Sequence, residues 1–327
     1  MKLKLLMTGF LLFFISIVSS AQPVKYYGQL KVTGTQLVDK NNEPVALKGM
    51  SFGWHNLWPR FYTKGAVKTL YKNWNCSVVR ASMGIEKVDG KDGYLQLPDW
   101  STKKIKTVVD AAIKEGIYVI IDWHSHNIQE AEAKKFFAAM ATAYAKYPNI
   151  IYEIFNEPDY ETWEEVKKYS IELIKTIRAI DTKNIILVGS PHWDQHIHLP
   201  AADPITGFDN LMYTVHFYAA SHKQELRDRT DAAISKGLPV FISESAGMEA
   251  SGNGPINYEE WKKWIDWMDA KKLSWITWSV SDKDETCSVL KPSASSDGKW
   301  KDAEIKESGL KTRAYLRSYP SVRKLVP

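Results

Sequence analysis

Apolar residues along this chain follow two alternating rhythms. Short runs fall at Val45–Met50, Val78–Ala81, Ile117–Asp122, Ile150–Phe155, Ile185–Val188, Leu211–His216, Val240–Ile242 and Trp275–Val280. β-Branched and aromatic residues are frequent in them, the composition of strands buried on both faces. Helical spacing fills the intervals. After Ser101, a good N-cap, Ile105, Val108, Val109, Ala112 and Ile113 recur at helical period until Gly116 stops them. Val166, Tyr169, Leu173, Ile174 and Ile177 form a second stripe, and Asn257 with Glu260 resembles a capping box ahead of Trp261, Trp264, Ile265 and Met268. Eight strands, each followed by a helix or a helix-sized loop, predict an α/β fold: a single (β/α)8 TIM barrel. Gly28–Lys40 is expected as a short β-hairpin outside that repeat. No linker, repeat or low-complexity stretch divides residues 22–327, so they are expected to form one domain.

The first 21 residues break the rhythm. Lys2 and Lys4 precede an apolar run, Leu5–Val18, and Ser19-Ser20-Ala21 supplies small residues before Gln22. This order predicts a signal peptide over 1–21. The run is shorter than the roughly 20 residues of a bilayer span. The mature protein is therefore expected in the periplasm or outside the cell, with no membrane association. Losing Lys2 and Lys4 would lower the formal charge from +5 to +3, too small a surplus to make nucleic acid the main partner. Cys76 and Cys287 are the only cysteines, and free thiols are expected. A monomer is expected.

In such a barrel, chemistry sits at the C-terminal ends of the strands. Polar residues cluster there: Arg80 at the second run, His124 at the third, Asn156-Glu157 at the fourth, His216 and Tyr218 at the sixth, Glu244 at the seventh and Trp278 at the eighth. Either glutamate alone could simply cap the next helix. Both together, from opposite halves of the chain, supply what glycoside hydrolysis needs: a protonated acid for the leaving oxygen and an ionised carboxylate for the anomeric carbon. The 13 Trp, 16 Tyr and 11 Phe suit sugar-stacking surfaces, although a large core also consumes aromatics.

These stations carry a specific resemblance. Leu47-Lys48-Gly49-Met50-Ser51, Val78-Val79-Arg80-Ala81, Ile121-Asp122-Trp123-His124, Asn156-Glu157-Pro158, His216-Phe217-Tyr218-Ala219, Ser243-Glu244 and Trp278-Ser279-Val280-Ser281-Asp282-Lys283 appear in order. From about Gln36 onward the chain resembles bacterial cellulases (endo-β-1,4-glucanases) of glycoside hydrolase family 5. The resemblance implies retaining hydrolysis of a β-1,4-glucan polysaccharide or oligosaccharide without a cofactor or metal. It implies Glu157 as general acid/base, kept protonated, and Glu244 as nucleophile, kept ionised by Arg80 and oriented by Tyr218. Asn156 would hold the sugar 2-hydroxyl, and His124 and His216 would be substrate or supporting polar contacts. Trp278 resembles the platform beneath the sugar next to the cleaved bond, and Trp58 and Trp193 resemble more distant platforms. Lys283, Glu285 and His55 would meet sugar hydroxyls. Trp261, Trp264 and Trp267 are expected to pack structurally.

Two departures stand out: Ser245 follows Glu244 where many relatives carry an aromatic, and Ser221-His222 replaces a commoner small-residue run. They leave the preferred glucan open, with endo-β-mannanase or mixed-linkage glucanase as alternatives. His124-Ser125-His126 and His196-Ile197-His198 admit a different class, a metal-dependent barrel hydrolase. A non-catalytic sugar-binding protein would have no use for the acid–nucleophile pair. With no separate carbohydrate-binding module, soluble or amorphous glucan is the expected target.

Overall fold

The computed structural model describes residues 22–322, so the expected signal peptide over 1–21 lies outside the described residues. Two short antiparallel strands, β1 (Lys31–Thr33) and β2 (Gln36–Val38), form the N-terminal hairpin. Eight more follow: β3 (Lys48–Phe52), β4 (Val78–Gly84), β5 (Tyr118–His124), β6 (Ile150–Glu153), β7 (Ile185–Val188), β8 (Leu211–Tyr218), β9 (Val240–Ala246) and β10 (Trp275–Val280). They pair in parallel and close into a barrel in sequence order, β10 returning to β3. The fold is the expected (β/α)8 barrel with a separate hairpin.

Barrel and helices are fixed by two apolar layers. Val78, Tyr118, Ile120, Ile151, Leu187, Met212, Phe241 and Ile276 belong to one cluster, and Leu30 and Leu37 of the hairpin region join it. Hydrophobic helix faces form the larger cluster; Trp264, for example, stacks on Phe217 of β8 with ring centroids 4.0 Å apart. Trp261 and Trp264 are buried and Trp267 packs partly against them, as expected. Gly49 marks the tightest seam, since a Cβ there would lie 1.9 Å from the Val78 carbonyl oxygen across β3–β4.

Local signals set most boundaries. The helix Pro98–Glu115 ends at Gly116 in a left-handed conformation, φ 70°. It starts earlier than expected, because Pro98 takes the first turn and Ser101 is buried inside the helix. The Asn257 side chain accepts from the Glu260 amide and caps the helix Tyr258–Ala270. The helix Trp163–Arg178 carries a full capping box from Thr162 and Glu165. Several strands run past their apolar stretches, so Arg80, His124, His216, Tyr218 and Glu244 lie within strands. Among the described residues no helix is long and apolar enough to cross a membrane. Cys76 and Cys287 are buried and free.

Candidate active site

Arg80 in β4 is the hub at the mouth of the barrel. Its side chain is fully buried, with Nε donating to Glu153 at 2.6 Å, Nη1 to Glu244 at 2.9 Å and Nη2 to Asn156 Oδ1 at 2.6 Å. Asp122 lies 3.1 Å from Nη2. Burial disfavours the guanidinium charge, but Asp122, Glu153 and Glu244 together more than offset this and hold its proton above the ordinary range. Because Arg80 occupies its Oδ1, Asn156 points its amide the other way, and Nδ2 has no partner.

Glu157 and Glu244 face each other across the mouth. One oxygen from each, with one nitrogen of His216, lie within 4.8 Å of one another. Tyr218 donates to Glu244 Oε1 at 2.6 Å while Arg80 holds Oε2. His216 Nδ1 lies 2.8 Å from Glu157 Oε1, and His126 Nδ1 lies 3.7 Å from the other oxygen. His124 is tied by Nδ1 to Asp122 at 2.7 Å, and its ring stacks against Trp278 with centroids 5.0 Å apart.

The proton distribution departs from the sequence expectation. Burial pushes the Glu157 carboxyl up, but the hydrogen bond and charge of His216, aided by His126 and Arg80, reverse this and hold it below the usual carboxylate range. Burial disfavours a charged His216, yet Asp194, Glu153, Glu157 and Glu244 hold its proton well above the ordinary value. Across their 2.8 Å contact these opposite directions favour a protonated His216 beside an ionised Glu157, where the sequence reading expects a protonated Glu157. The two residues share the proton as a pair. Burial and then the charge of Glu157 push Glu244 up, opposed by His216, Arg80 and Tyr218.

A cleft runs through this centre. One part, about 490 Å³, is lined by Trp54, Trp58, Trp278, Lys283 and Glu285. Another, also about 490 Å³, is lined by His192, Trp193, Gln195, His216 and His222. Glu157, Tyr218 and His126 line both. The structure thus brings together Trp58, Trp278, Lys283 and Glu285 on one side and Trp193 on the other. Lys283 Nζ pairs with Glu285 at 2.6 Å.

His55 is the exception. It is fully buried, accepts from the Gly84 amide at 3.0 Å through Nδ1 and packs against Trp100, centroids 5.2 Å apart. Burial, then Lys104, pushes its pKa down to about 3. It supports the wall and lines neither part of the cleft, so it is not the expected hydroxyl contact. Trp54 and Trp58 carry that wall instead.

Sequence reasoning missed Trp54, Glu153 and Asp194, and treated Asp122 only as part of a motif. Glu153 and Asp122 had a signal, a carboxylate inside an otherwise apolar strand; Trp54, on the loop after β3, and Asp194, at the end of the short helical turn Pro191–Asp194, had none. Ser245 points away from the cleft, its hydroxyl donating to the Ile276 carbonyl at 2.8 Å, whereas His222 lines it. The paired histidines considered for metal lie apart in role: His124 is bound to Asp122, and the His196 ring stacks on His192 and meets His198, with Arg229 acting on both.

A model of the family described as Cellulase (glycosyl hydrolase family 5) matches residues 38–284. An endoglucanase of Clostridium saccharobutylicum is 41% identical over 299 residues, covering 89% of this chain and 66% of that protein. Endoglucanase 5 of Pectobacterium carotovorum subsp. carotovorum is 40% identical, covering 91% and 59%. The chain thus spans about three-fifths to two-thirds of these relatives' length. Among solved structures, one from Cytophaga hutchinsonii superposes with TM-score 0.89 at 43% identity, covering 91% of this chain and 97% of that one. The catalytic domain of a Thermobifida fusca endoglucanase, in complex with cellotetraose, gives TM-score 0.85 at 32% identity, covering 91% and 100%. On the match over residues 38–284, the chain belongs to the cellulase family, glycosyl hydrolase family 5.

Proposed function

We propose that the protein is an exported endo-β-1,4-glucanase that cleaves internal bonds of cellulose or related β-glucans with retention of anomeric configuration. The observation that carries this reading is the approach of Glu157 and Glu244 oxygens to within 4.8 Å. Retaining glycosidases hold their carboxyls about 5–5.5 Å apart, and inverting ones leave room for a water. Tyr218 and Arg80 each hold one oxygen of Glu244, which suits a nucleophile aimed at an anomeric carbon.

Glu157 donates the proton it shares with His216 to the glycosidic oxygen, which leaves with the bonding pair. Glu244 forms the new bond to the anomeric carbon. Water then attacks that carbon, gives its proton to the Glu157–His216 pair and releases Glu244. The role of the Asn156 amide, buried and without a partner, as donor to a ring hydroxyl is carried over from the resemblance, and tryptophans on both sides offer stacking faces.

The protein is expected to act as a monomer, in the periplasm or outside the cell, once residues 1–21 are removed. Product anomers followed by NMR during turnover of a cello-oligosaccharide test the mechanism. The β-anomer should appear first; the α-anomer first overturns retention. Product lengths on carboxymethyl-cellulose, barley β-glucan and mannan test the substrate, and release from mannan alone would replace glucanase by mannanase. N-terminal sequencing of secreted protein should begin at Gln22.

A further inference from the structure

Behind His216 lies a carboxyl that the proposed reaction does not use directly. Asp194 is fully buried; Oδ1 accepts from the Ser190 amide, while Oδ2 has no hydrogen-bond partner and faces His216 Nε2 at 3.2 Å. The backbone that puts it there is unusual. His192, Trp193 and Asp194 are three consecutive non-glycine residues in the left-handed region, with φ of 62°, 52° and 58°. Such conformations persist only where the surroundings enforce them, and they gather at functional sites. This single turn sends Trp193 to the cleft and Asp194 beneath His216.

We propose that Asp194 is a positioning residue: acting through His216, it fixes which ring nitrogen exchanges a proton with Glu157. Nε2 is surrounded by acceptors, Ser243 Oγ at 2.9 Å, Asp194 Oδ2 at 3.2 Å and Glu153 Oε1 at 3.9 Å. A nitrogen facing those oxygens keeps its hydrogen. Nδ1, 2.8 Å from Glu157, is then left to take or give the proton. In the first half-reaction that proton passes through Glu157 to the leaving oxygen, and in the second a water proton restores it. Nε2–H is unchanged throughout, so atoms and charges balance.

The other titratable neighbours acting on the ring are Glu244 from β9, His124 from β5 and His222 after β8. Asp194 has the closest carboxylate on the Nε2 side. Burial pushes the Asp194 carboxyl up and the His216 charge opposes this, so the ionised carboxyl and the protonated imidazole stabilise each other and delay loss of the shared proton as pH rises.

This inference rests on the hydrolysis proposed above. Its test is Asp194→Asn, which keeps the shape and the acceptor for Ser190 while removing the charge. The alkaline limb of kcat/KM on carboxymethyl-cellulose should move down by about one pH unit or more. A dinitrophenyl cellobioside, whose leaving group needs little protonation, should be affected less. A uniform loss on both substrates with an unmoved limb would reduce Asp194 to structural support.

Should the variant not fold, 15N NMR of His216 in the wild-type protein decides. Nε2 protonated at every pH, with Nδ1 titrating alongside the alkaline limb, supports the proposal; a neutral ring protonated at Nδ1 overturns it. Wild-type protein without turnover on any glucan would sink the functional reading instead, and the tautomer would still judge Asp194.

Discussion

Tyr218→Phe isolates one hydrogen bond on Glu244, the proposed nucleophile. The hydroxyl donates to Glu244 Oε1 at 2.6 Å, while the ring packs in a small cluster with Met248, Trp278 and Cys287 that phenylalanine would preserve. Hydrogen bonds to charged groups contribute about 1.5–3 kcal/mol. At 1.36 kcal/mol per pH unit, this corresponds to roughly one to two units in the ionisation of the acceptor. The sign follows from which form is favoured. The hydroxyl stabilises the carboxylate and so lowers the pKa of Glu244, which burial and Glu157 already push up. Without it the pKa rises further, and the acid limb of kcat/KM should move upward by about one to two units. The alkaline limb, set by the His216–Glu157 proton, should stay in place and serves as an internal control. Initial rates on a soluble glucan across the pH range measure both limbs, and a melting curve verifies folding. An acid limb that stays put or moves down would show that Tyr218 does not govern the charge on Glu244.

Four further substitutions probe other parts of the site and frame. Glu157→Ala should lose at least about 100-fold on glucan but far less on a dinitrophenyl cellobioside, the difference being the general-acid contribution; equal losses would remove that role. Glu244→Ala should abolish turnover while oligosaccharide binding stays measurable by calorimetry, so residual turnover near wild type would reassign the nucleophile. Trp278→Ala should lower kcat/KM by about 1–3 kcal/mol, the scale of exposing a large aromatic face, and unchanged kinetics would leave it only a packing role. Gly49→Ala should destabilise by at least about 1–3 kcal/mol in denaturant titration, since its Cβ would lie 1.9 Å from the Val78 carbonyl.

How much of this could be read from the chain differs between frame and site. The barrel was legible because strands buried on both faces must be short and apolar, and all eight expected runs overlap observed strands. Boundaries were less legible: Pro98 displaced Ser101 as the start of its helix, and β4, β8 and β9 run on to Gly84, Tyr218 and Ala246, past the expected ends at Ala81, His216 and Ile242. The same polar residues that announced the site thus concealed the strand ends. The convergence of Glu157 and Glu244 on one mouth was legible from position alone. His55 was misplaced because a loop after a strand does not reveal which side chain turns outward; here Trp54 and Trp58 line the cleft and His55 turns in. Proton ownership was the least legible, since it depends on a 2.8 Å contact between residues 59 positions apart.

That ownership follows from a shortage of positive charge. Asp122, Glu153, Glu157, Asp194 and Glu244 gather around Arg80 and His216. Two cations cannot balance five carboxylates in so buried a site, so the carboxyls compete for positive partners and differ in how readily they ionise. The directions in which their pKa values move sort by contact. Glu153 at 2.6 Å from Arg80 and Glu157 at 2.8 Å from His216 fall below their ordinary range, while Asp122, Asp194 and Glu244 rise. On the proposed reaction, this arrangement links the two half-steps. Bond formation at Glu244 removes one of the anions that hold the shared proton on His216 and Glu157. That proton becomes easier to release as the leaving oxygen gathers charge, so nucleophilic attack and acid assistance reinforce each other across the same gap.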